Sequence, residues 1–236
     1  MNIRLYHPNS IVENTTKLLS KEHGHYVSNV MRLKLGSRIN FFNKDGEWES
    51  EITLIQKDKV EVKFTKKIKQ ASNESKIELA ICLVKKNPME TILQKSTELG
   101  VSKIIPIVSE RTEVKDLNYE RARKIVIEAT EQSNQLNPPE ISEVIKLRDY
   151  LKKLDSSTKL LFADVISQNI LKNDNIKKGE ALSVLIGPEG DFSPAERESI
   201  LKVPNVKSFT ISKNILRSDT AVITAISLVN FVYFNS

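Results

Sequence analysis

In the first third of the chain apolar and polar positions alternate with a period close to two. Residues 38–43 read as a strand, and Lys44-Asp45-Gly46-Glu47 places Asp-Gly in a tight hairpin turn. Residues 48–56 and 59–67 continue the meander, with Lys57-Asp58 as the next turn. Ahead of them, residues 20–31 read as a short helix closed near Leu35-Gly36. This predicts a small barrel with one helix. Residues 68–76, KIKQASNES, have few large apolar side chains and read as a linker.

From residue 77 the pattern changes to short apolar runs alternating with stretches of helical period. Strands are predicted at 77–84, 103–108, 159–165, 181–186 and 206–211, and helices at 88–99, 118–135, 194–201 and 219–231. The first helix takes Asn87 as its cap. It places Met89, Ile92, Leu93, Ser96 and Leu99 on one face and stops at Gly100. Such alternation predicts a mostly parallel sheet covered by helices.

The joint from Leu185 to Glu196, LIGPEGDFSPAE, carries the most information. The run before it holds one polar residue, Ser183, and reads as a strand buried on both faces. Gly187 and Gly190 permit a sharp turn. Ser193, Pro194 and Glu196 have the spacing of a cap, a first helical position and a capping-box acid. In α/β proteins such strand–loop–helix joints bind ligands. The loop lacks G-x-G-x-x-G spacing and a Walker lysine, and Pro188 removes an amide, so a neutral or cationic ligand suits it better than a triphosphate. An ordinary tight turn explains the same residues.

Charge narrows the partners. Of the net +6, residues 1–72 hold +5, with 13 Lys and Arg against 8 Asp and Glu. A basic N-terminal part points to a polyanion, or to solvated lysine-rich faces. The single cysteine, Cys82, lies in an apolar run and reads as an inert core residue. No signal peptide is read, and Thr224, Ser227 and Asn230 interrupt the last apolar stretch, so a cytoplasmic protein with no membrane partner is expected. His7, His23 and His25 lack zinc-site spacing, and no metal is expected. The α/β half has no histidine and no G-x-S-x-G, which argues against a serine or cysteine hydrolase.

Three further segments carry candidate chemistry. The loop 212–221, SKNILRSDTA, lies at a second strand–helix joint, with Ser218 or Asp219 as cap. Arg217 there reads as an anion or base contact, or as a partner of Asp219 or Glu189. In EATEQSNQ (128–135), Glu128, Glu131 and Gln135 share a helix face, as surface charge or as acid–base machinery. In QKSTELG (94–100), Lys95 and Glu98 lie one turn apart.

Six strings now carry a family resemblance: RLYHP (4–8), VMRLKLG (30–36), QKSTELGVSKIIPIVSERTEV (94–114), EATEQSNQ (128–135), IGPEGDFSPAE (186–196) and NILRSDTA (214–221). In this order the chain resembles the ribosomal RNA small subunit methyltransferase E family, of the SPOUT class. The resemblance implies an α/β fold. A PUA-like RNA-binding β-barrel (1–70) would precede a SPOUT-type, trefoil-knotted methyltransferase domain (74–236). It implies a homodimer that transfers a methyl group from S-adenosylmethionine to N3 of a uridine near the 3′ end of 16S rRNA, on the assembled 30S subunit. By position, Leu161, Ala163, Ile186, Gly187, Pro188, Glu189, Gly190, Ile211, Ser212, Asn214, Ile215, Leu216, Arg217 and Thr220 would hold the cofactor. Arg217 would stabilise the uracil anion, and Glu131 or Glu98 would accept the proton. Arg4, Arg32, Lys34 and Arg38 would hold RNA phosphates.

The chain departs from the family pattern at four places. Asp191 stands where a second glycine is frequent, and Ser212 and Lys213 where Leu-Gly is frequent. Asp219 replaces Glu, and Gln135 replaces Arg. Two alternatives remain open: a SPOUT methyltransferase with another RNA target, and a non-catalytic RNA-binding assembly factor.

Overall fold

The structure is a computed structural model that describes residues 3–57, 59–71 and 76–235. It divides into two units, Met1–Asn73 with Thr130–Asn137, and Glu74–Ala129 with Pro138–Ser236.

The first unit is built on a five-stranded sheet. Its strands are β1 (Arg4–Tyr6), β2 (Thr16–Leu18), β3 (Arg38–Asn43), β4 (Gly46–Gln56) and β5 (Lys59–Gln70), in the order β1-β3-β4-β5-β2. β1 runs parallel to β3, and the other pairs are antiparallel. Phe41, Phe64, Trp48, Ile39, Val60 and Val62 form its core. Helix α1 (Lys21–His25) runs into a π-helical turn, Tyr26–Val30, and Ser20 caps it by accepting the His23 N–H at 3.1 Å.

The hairpin differs from the expectation by one residue. The turn is Lys44 and Asp45, whose N–H donates to Asn43 Oδ1 at 2.9 Å. Gly46 already belongs to β4, opposite Asn43. It has φ +149°, and a Cβ there would lie 2.4 Å from the Lys69 carbonyl oxygen. The ladder, not the turn, therefore demands glycine. The predicted linker is also shorter, because β5 continues through Lys69 and Gln70. Residues 72–75 of that linker, and Asp58 of the predicted turn, lie outside the described residues.

One buried ion pair organises the unit. Arg4 donates from Nε and Nη2 to the Glu47 carboxylate at 3.0–3.1 Å, and their side chains are 11% and 5% exposed. Its other donors reach the carbonyls of Glu131 and Gln135 at 3.0 and 2.9 Å, and its guanidinium lies 4.3 Å from the Phe42 ring centre. Arg4 is thus a structural cation, which corrects its reading as a phosphate contact.

The second unit holds a parallel sheet in the order β12-β10-β11-β6-β7-β8. The strands are β6 (Ile77–Cys82), β7 (Lys103–Val108), β8 (Glu140–Ile141), β10 (Lys159–Ala163), β11 (Leu182–Ile186) and β12 (Val206–Phe209). β9 (Ile145–Lys146) also pairs with β7. Helices α2 (Lys86–Glu98), α3 (Tyr119–Gln132) and α6 (Ser218–Phe234) share one apolar layer with Leu79, Ile81, Val184 and Ile186. Helices α4 (Leu147–Lys153) and α5 (Pro194–Leu201) share another with Ala80, Cys82, Phe162 and Leu185. Alternate residues of each strand therefore face opposite layers, which is why β11 is buried along its whole length.

Two predicted caps fail. α2 begins at Lys86, with Lys85 at its cap, so Asn87 and Pro88 lie inside the first turn. Proline is tolerated there because that N–H has no helical partner. α6 has Arg217 at its cap, and neither Ser218 nor Asp219 caps it; Asp219 Oδ1 accepts the adjacent Thr220 N–H at 2.8 Å. The strands β1, β2, β8 and β9 and helix α4 were not predicted. Most are two or three residues long, too short for a periodic signal.

Arg4→Ala leaves the Glu47 carboxylate buried and unpaired, and is expected to destabilise the first unit by about 3–5 kcal/mol. Urea unfolding followed through the buried Trp48, the chain's single tryptophan, measures this. Burial pushes the Cys82 thiol up to about 12. It is expected to resist alkylation at pH 8 until the second unit unfolds, as a thiol titration with and without denaturant would show.

Candidate active site

β10 pairs in parallel with β11 on one side, Phe162 opposite Leu185, and with β12 on the other, Ala163 opposite Phe209. The loops that leave these three strands therefore start side by side on one edge of the sheet. Backbone bonds tie the loops after β10 and β12. Asp164 N–H donates to the Phe209 carbonyl at 3.0 Å, and Thr210 N–H donates to the Asn169 carbonyl at 2.8 Å.

Side chains add further ties. Asp164, 3% exposed, accepts from Arg197 Nε and Nη2 at 3.1 and 2.8 Å, which fastens the loop after β10 to helix α5. This bond holds the Arg197 guanidinium above its ordinary range. Ser193 and Glu196 form the predicted capping box: Ser193 Oγ accepts the Glu196 N–H at 3.3 Å, and Glu196 Oε2 accepts the Ser193 N–H at 3.1 Å. The other Glu196 oxygen accepts the Glu110 N–H at 2.8 Å, which adds the loop after β7 to the cluster. Phe192 stacks edge-on against Phe162, with centroids 5.7 Å apart.

The loop after β11 turns on a bond from Asp191 N–H to the Pro188 carbonyl at 2.9 Å. The left-handed residue is Asp191 itself, at φ +58°; neither Gly187 nor Gly190 has a positive φ. Aspartate tolerates this region better than most residues, and its Oδ1 accepts the Phe192 N–H at 2.8 Å. A glycine would adopt this conformation freely, and the aspartate adopts it with the help of that bond.

The structure gathers most of the predicted cofactor residues. Ala163 and Ile186 end β10 and β11, and Gly187, Pro188, Glu189 and Gly190 follow, with Pro188 buried and Glu189 exposed. Leu161 lies two residues inside β10, wholly buried in the core. Ile211, Ser212, Asn214, Ile215, Leu216, Arg217 and Thr220 form or flank the loop after β12. Ser212 Oγ accepts the Asn214 N–H at 2.9 Å, Leu216 packs on the core, and Ile215 is 88% exposed. Arg217 is exposed and has no ion pair with Asp219, Glu189 or any other described residue.

Of the two expected proton acceptors, Glu98 is not among them. Glu98 ends α2, the helix that starts at the loop edge and runs back to the opposite edge, where it pairs with Lys95 at 2.9 Å. Glu131 belongs to the first unit, and its Oε1 accepts the Tyr6 N–H at 2.8 Å. The reading of Glu98 is therefore corrected: spacing along a helix says nothing about which end of the sheet that helix end reaches. Arg32 and Lys34 are exposed in the first unit, and Arg38 is exposed beside Glu49 at 3.4 Å. Sequence reasoning missed Asp164, Arg197 and Glu110. The one available signal was an aspartate directly after the apolar run Leu160–Ala163. Among the described residues no cluster could hold a metal ion, and no helix is long and apolar enough to cross a membrane.

Comparison with known proteins follows the same lines. A family model described as an RNA methyltransferase domain matches residues 70–230, and one described as an RNA methyltransferase PUA domain matches residues 19–65. The chain is 35% identical over 234 residues to ribosomal RNA small subunit methyltransferase E of Rickettsia conorii, covering 97% of this chain and 95% of the relative. A Neisseria gonorrhoeae enzyme of that name, solved bound to S-adenosyl methionine, superposes with TM-score 0.88 at 27% identity over 99% of this chain and 98% of the other. A Legionella pneumophila methyltransferase solved in complex with the same cofactor gives TM-score 0.86 at 29% identity, covering 98% of each chain. The two matched models agree with the α/β methyltransferase class and the N-terminal PUA-type domain that the six strings implied. A family model that spans most of the chain and a relative that aligns along nearly all of it lead to one conclusion: the chain belongs to the ribosomal RNA small subunit methyltransferase E family.

Proposed function

We propose that this chain transfers a methyl group from S-adenosylmethionine to N3 of a uridine near the 3′ end of 16S rRNA, acting in the cytoplasm on the assembled 30S subunit. The observation that carries the reading is the convergence of the loops after β10, β11 and β12 on one sheet edge, in a chain of this family.

The loop residues fit the cofactor. A Cβ at Gly187 would lie 3.1–3.2 Å from the Phe192 ring, so any side chain there must push that ring aside by a few tenths of an ångström. The N–H groups of Gly190 and Leu216 donate to no acceptor among the described residues. Such groups suit a zwitterionic amino acid and an adenine edge, while Ile186, Ile211 and Leu216 offer apolar walls. No lysine lies in the loop from Gly187 to Phe192, which fits a ligand without phosphate.

The cofactor supplies an electrophilic methyl group on a sulfonium centre. The loops would place the target base in line with it, which removes much of the entropic barrier. Uridine N3 attacks well only after losing its proton, which passes to solvent. The uracil then carries negative charge until the N3–methyl bond forms and the sulfur–methyl bond breaks, leaving the neutral thioether. Arg217, at the start of α6 and free of ion pairing, adds its charge to the positive end of that helix. It would stabilise that anion. Arg32, Lys34 and Arg38 would hold RNA phosphates through the basic first unit.

The reading includes the trefoil knot that the resemblance implies. β10 and β11 are parallel neighbours joined by residues 164–181 with no α-helix between them, an arrangement suited to a loop that another segment threads. It also includes a homodimer. α6 exposes Leu228, Phe231 and Phe234, and the loops after β10 and β12 expose Val165, Ile166, Ile170 and Ile215, apolar surface that a second copy would cover at least in part.

The test is methyl transfer to 30S particles lacking the modification, with the product base located by mass spectrometry. Methyl label on N3 of one 16S uridine is expected; label elsewhere, or none, overturns the reading. Gly187→Ala is expected to weaken S-adenosylmethionine binding by at least about tenfold in calorimetry, because the loop must shift by a few tenths of an ångström. Arg217→Ala is expected to lower kcat about 100- to 1000-fold in methyl transfer at saturating cofactor, the loss typical of one anion-stabilising donor.

A further inference from the structure

We infer that Arg111 is a substrate-binding residue that receives a phosphate of the target RNA strand beside the loop cluster, an inference that rests on the methyltransferase reading above. Arg111 lies in the turn after β7, on the same sheet edge as the loops after β11 and β12. The turn is rigid. Ser109 N–H donates to Thr112 Oγ1 at 2.9 Å, Thr112 N–H donates to the Ser109 carbonyl at 3.3 Å, and both residues are buried. Glu110 is held by Glu196, one residue before Arg111.

The arginine side chain is itself fixed. Nη1 donates to the Gly190 carbonyl at 2.9 Å. Its stem lies over Gly190, where a Cβ would sit 3.8 Å from Arg111 Cβ and 3.9 Å from Cδ. Yet the residue is exposed. Acidic residues are close in sequence and in the neighbouring loop, at Glu110, Glu113, Glu189 and Asp191, but none pairs with it. Glu113 is instead 3.9 Å from Lys85. Among the described residues the remaining guanidinium donors have no protein acceptor.

A guanidinium held by its stem and one nitrogen presents its free edge in one orientation. That fork matches two oxygens of a phosphate, and the ordering cost has been met on folding. Had the Gly190 bond been its only role, the charge would gain from a carboxylate partner, of which four lie within a few residues of the turn or the loop. Lys85 and Lys86, exposed after β6 on the same edge, extend the positive surface along which a strand could lie.

The test compares the full-length protein with Arg111→Ala, Arg111→Gln and Arg111→Lys in methyl transfer to unmodified 30S particles at several salt concentrations, with cofactor affinity from calorimetry. Glutamine keeps an N–H for the Gly190 carbonyl and removes the charge. The Ala and Gln variants are expected to raise KM for the particle about 10- to 100-fold. They should leave cofactor affinity within about twofold and flatten the salt dependence of kcat/KM by about one unit of slope. The Lys variant should keep the wild-type slope. A Gln variant that behaves as wild type would reduce Arg111 to a brace for Gly190. A KM increase with unchanged slope would assign the contact to an uncharged group and overturn the phosphate. Loss of cofactor binding in the Gln variant overturns the inference as well. If all four proteins, wild type included, transfer no methyl group, the functional reading fails and takes this one with it.

Discussion

β10 is hydrogen-bonded on both sides, to β11 and to β12, and all three strands point the same way. Everything proposed for the second unit depends on that arrangement. A parallel strand delivers its outgoing loop to the same edge as its neighbours, so three segments far apart in the chain open next to one another. An antiparallel partner would have sent one loop to the far edge.

The edge is then locked by polar groups that the sheet itself does not supply. Asp164 and Arg197 join the first loop to the helix after the second, and Glu196 joins that helix to the turn carrying Arg111. Each tie spans more than thirty residues of sequence. They leave Arg217 and Arg111 as exposed cations without ion pairs in a neighbourhood where acids are abundant. In the first unit the opposite holds: Arg4 is committed to Glu47 and to two carbonyls, and its charge serves the fold. Exposure and partners, not residue type, separate a binding arginine from a structural one.

Helix ends show the same distinction for acids. Glu98 and Glu131 look alike in sequence, as carboxylates near the ends of helices inside family strings. One ends up at the far edge of the sheet against Lys95, and the other holds the Tyr6 amide. A helix of 13 residues is roughly 20 Å long, at about 1.5 Å per residue. A residue at the wrong end of a crossover helix is removed from the site however well its spacing reads.

The sequence by itself determined the elements with strong local signals. The run 181–186, buried on both faces, the Ser193–Pro194–Glu196 start of α5, the stop at Gly100 and the meander of the first unit all rest on short-range patterning, and the six strings identified the family. It was silent on the short strands β1, β2, β8 and β9, and it misplaced the caps of α2 and α6, where no side-chain cap operates. Only the tertiary structure decided which charges are free. Pairing of Asp164 with Arg197, of Arg4 with Glu47, and the open edge of Arg111 depend on contacts between segments distant in sequence, and no local periodicity encodes which distant group a side chain will meet.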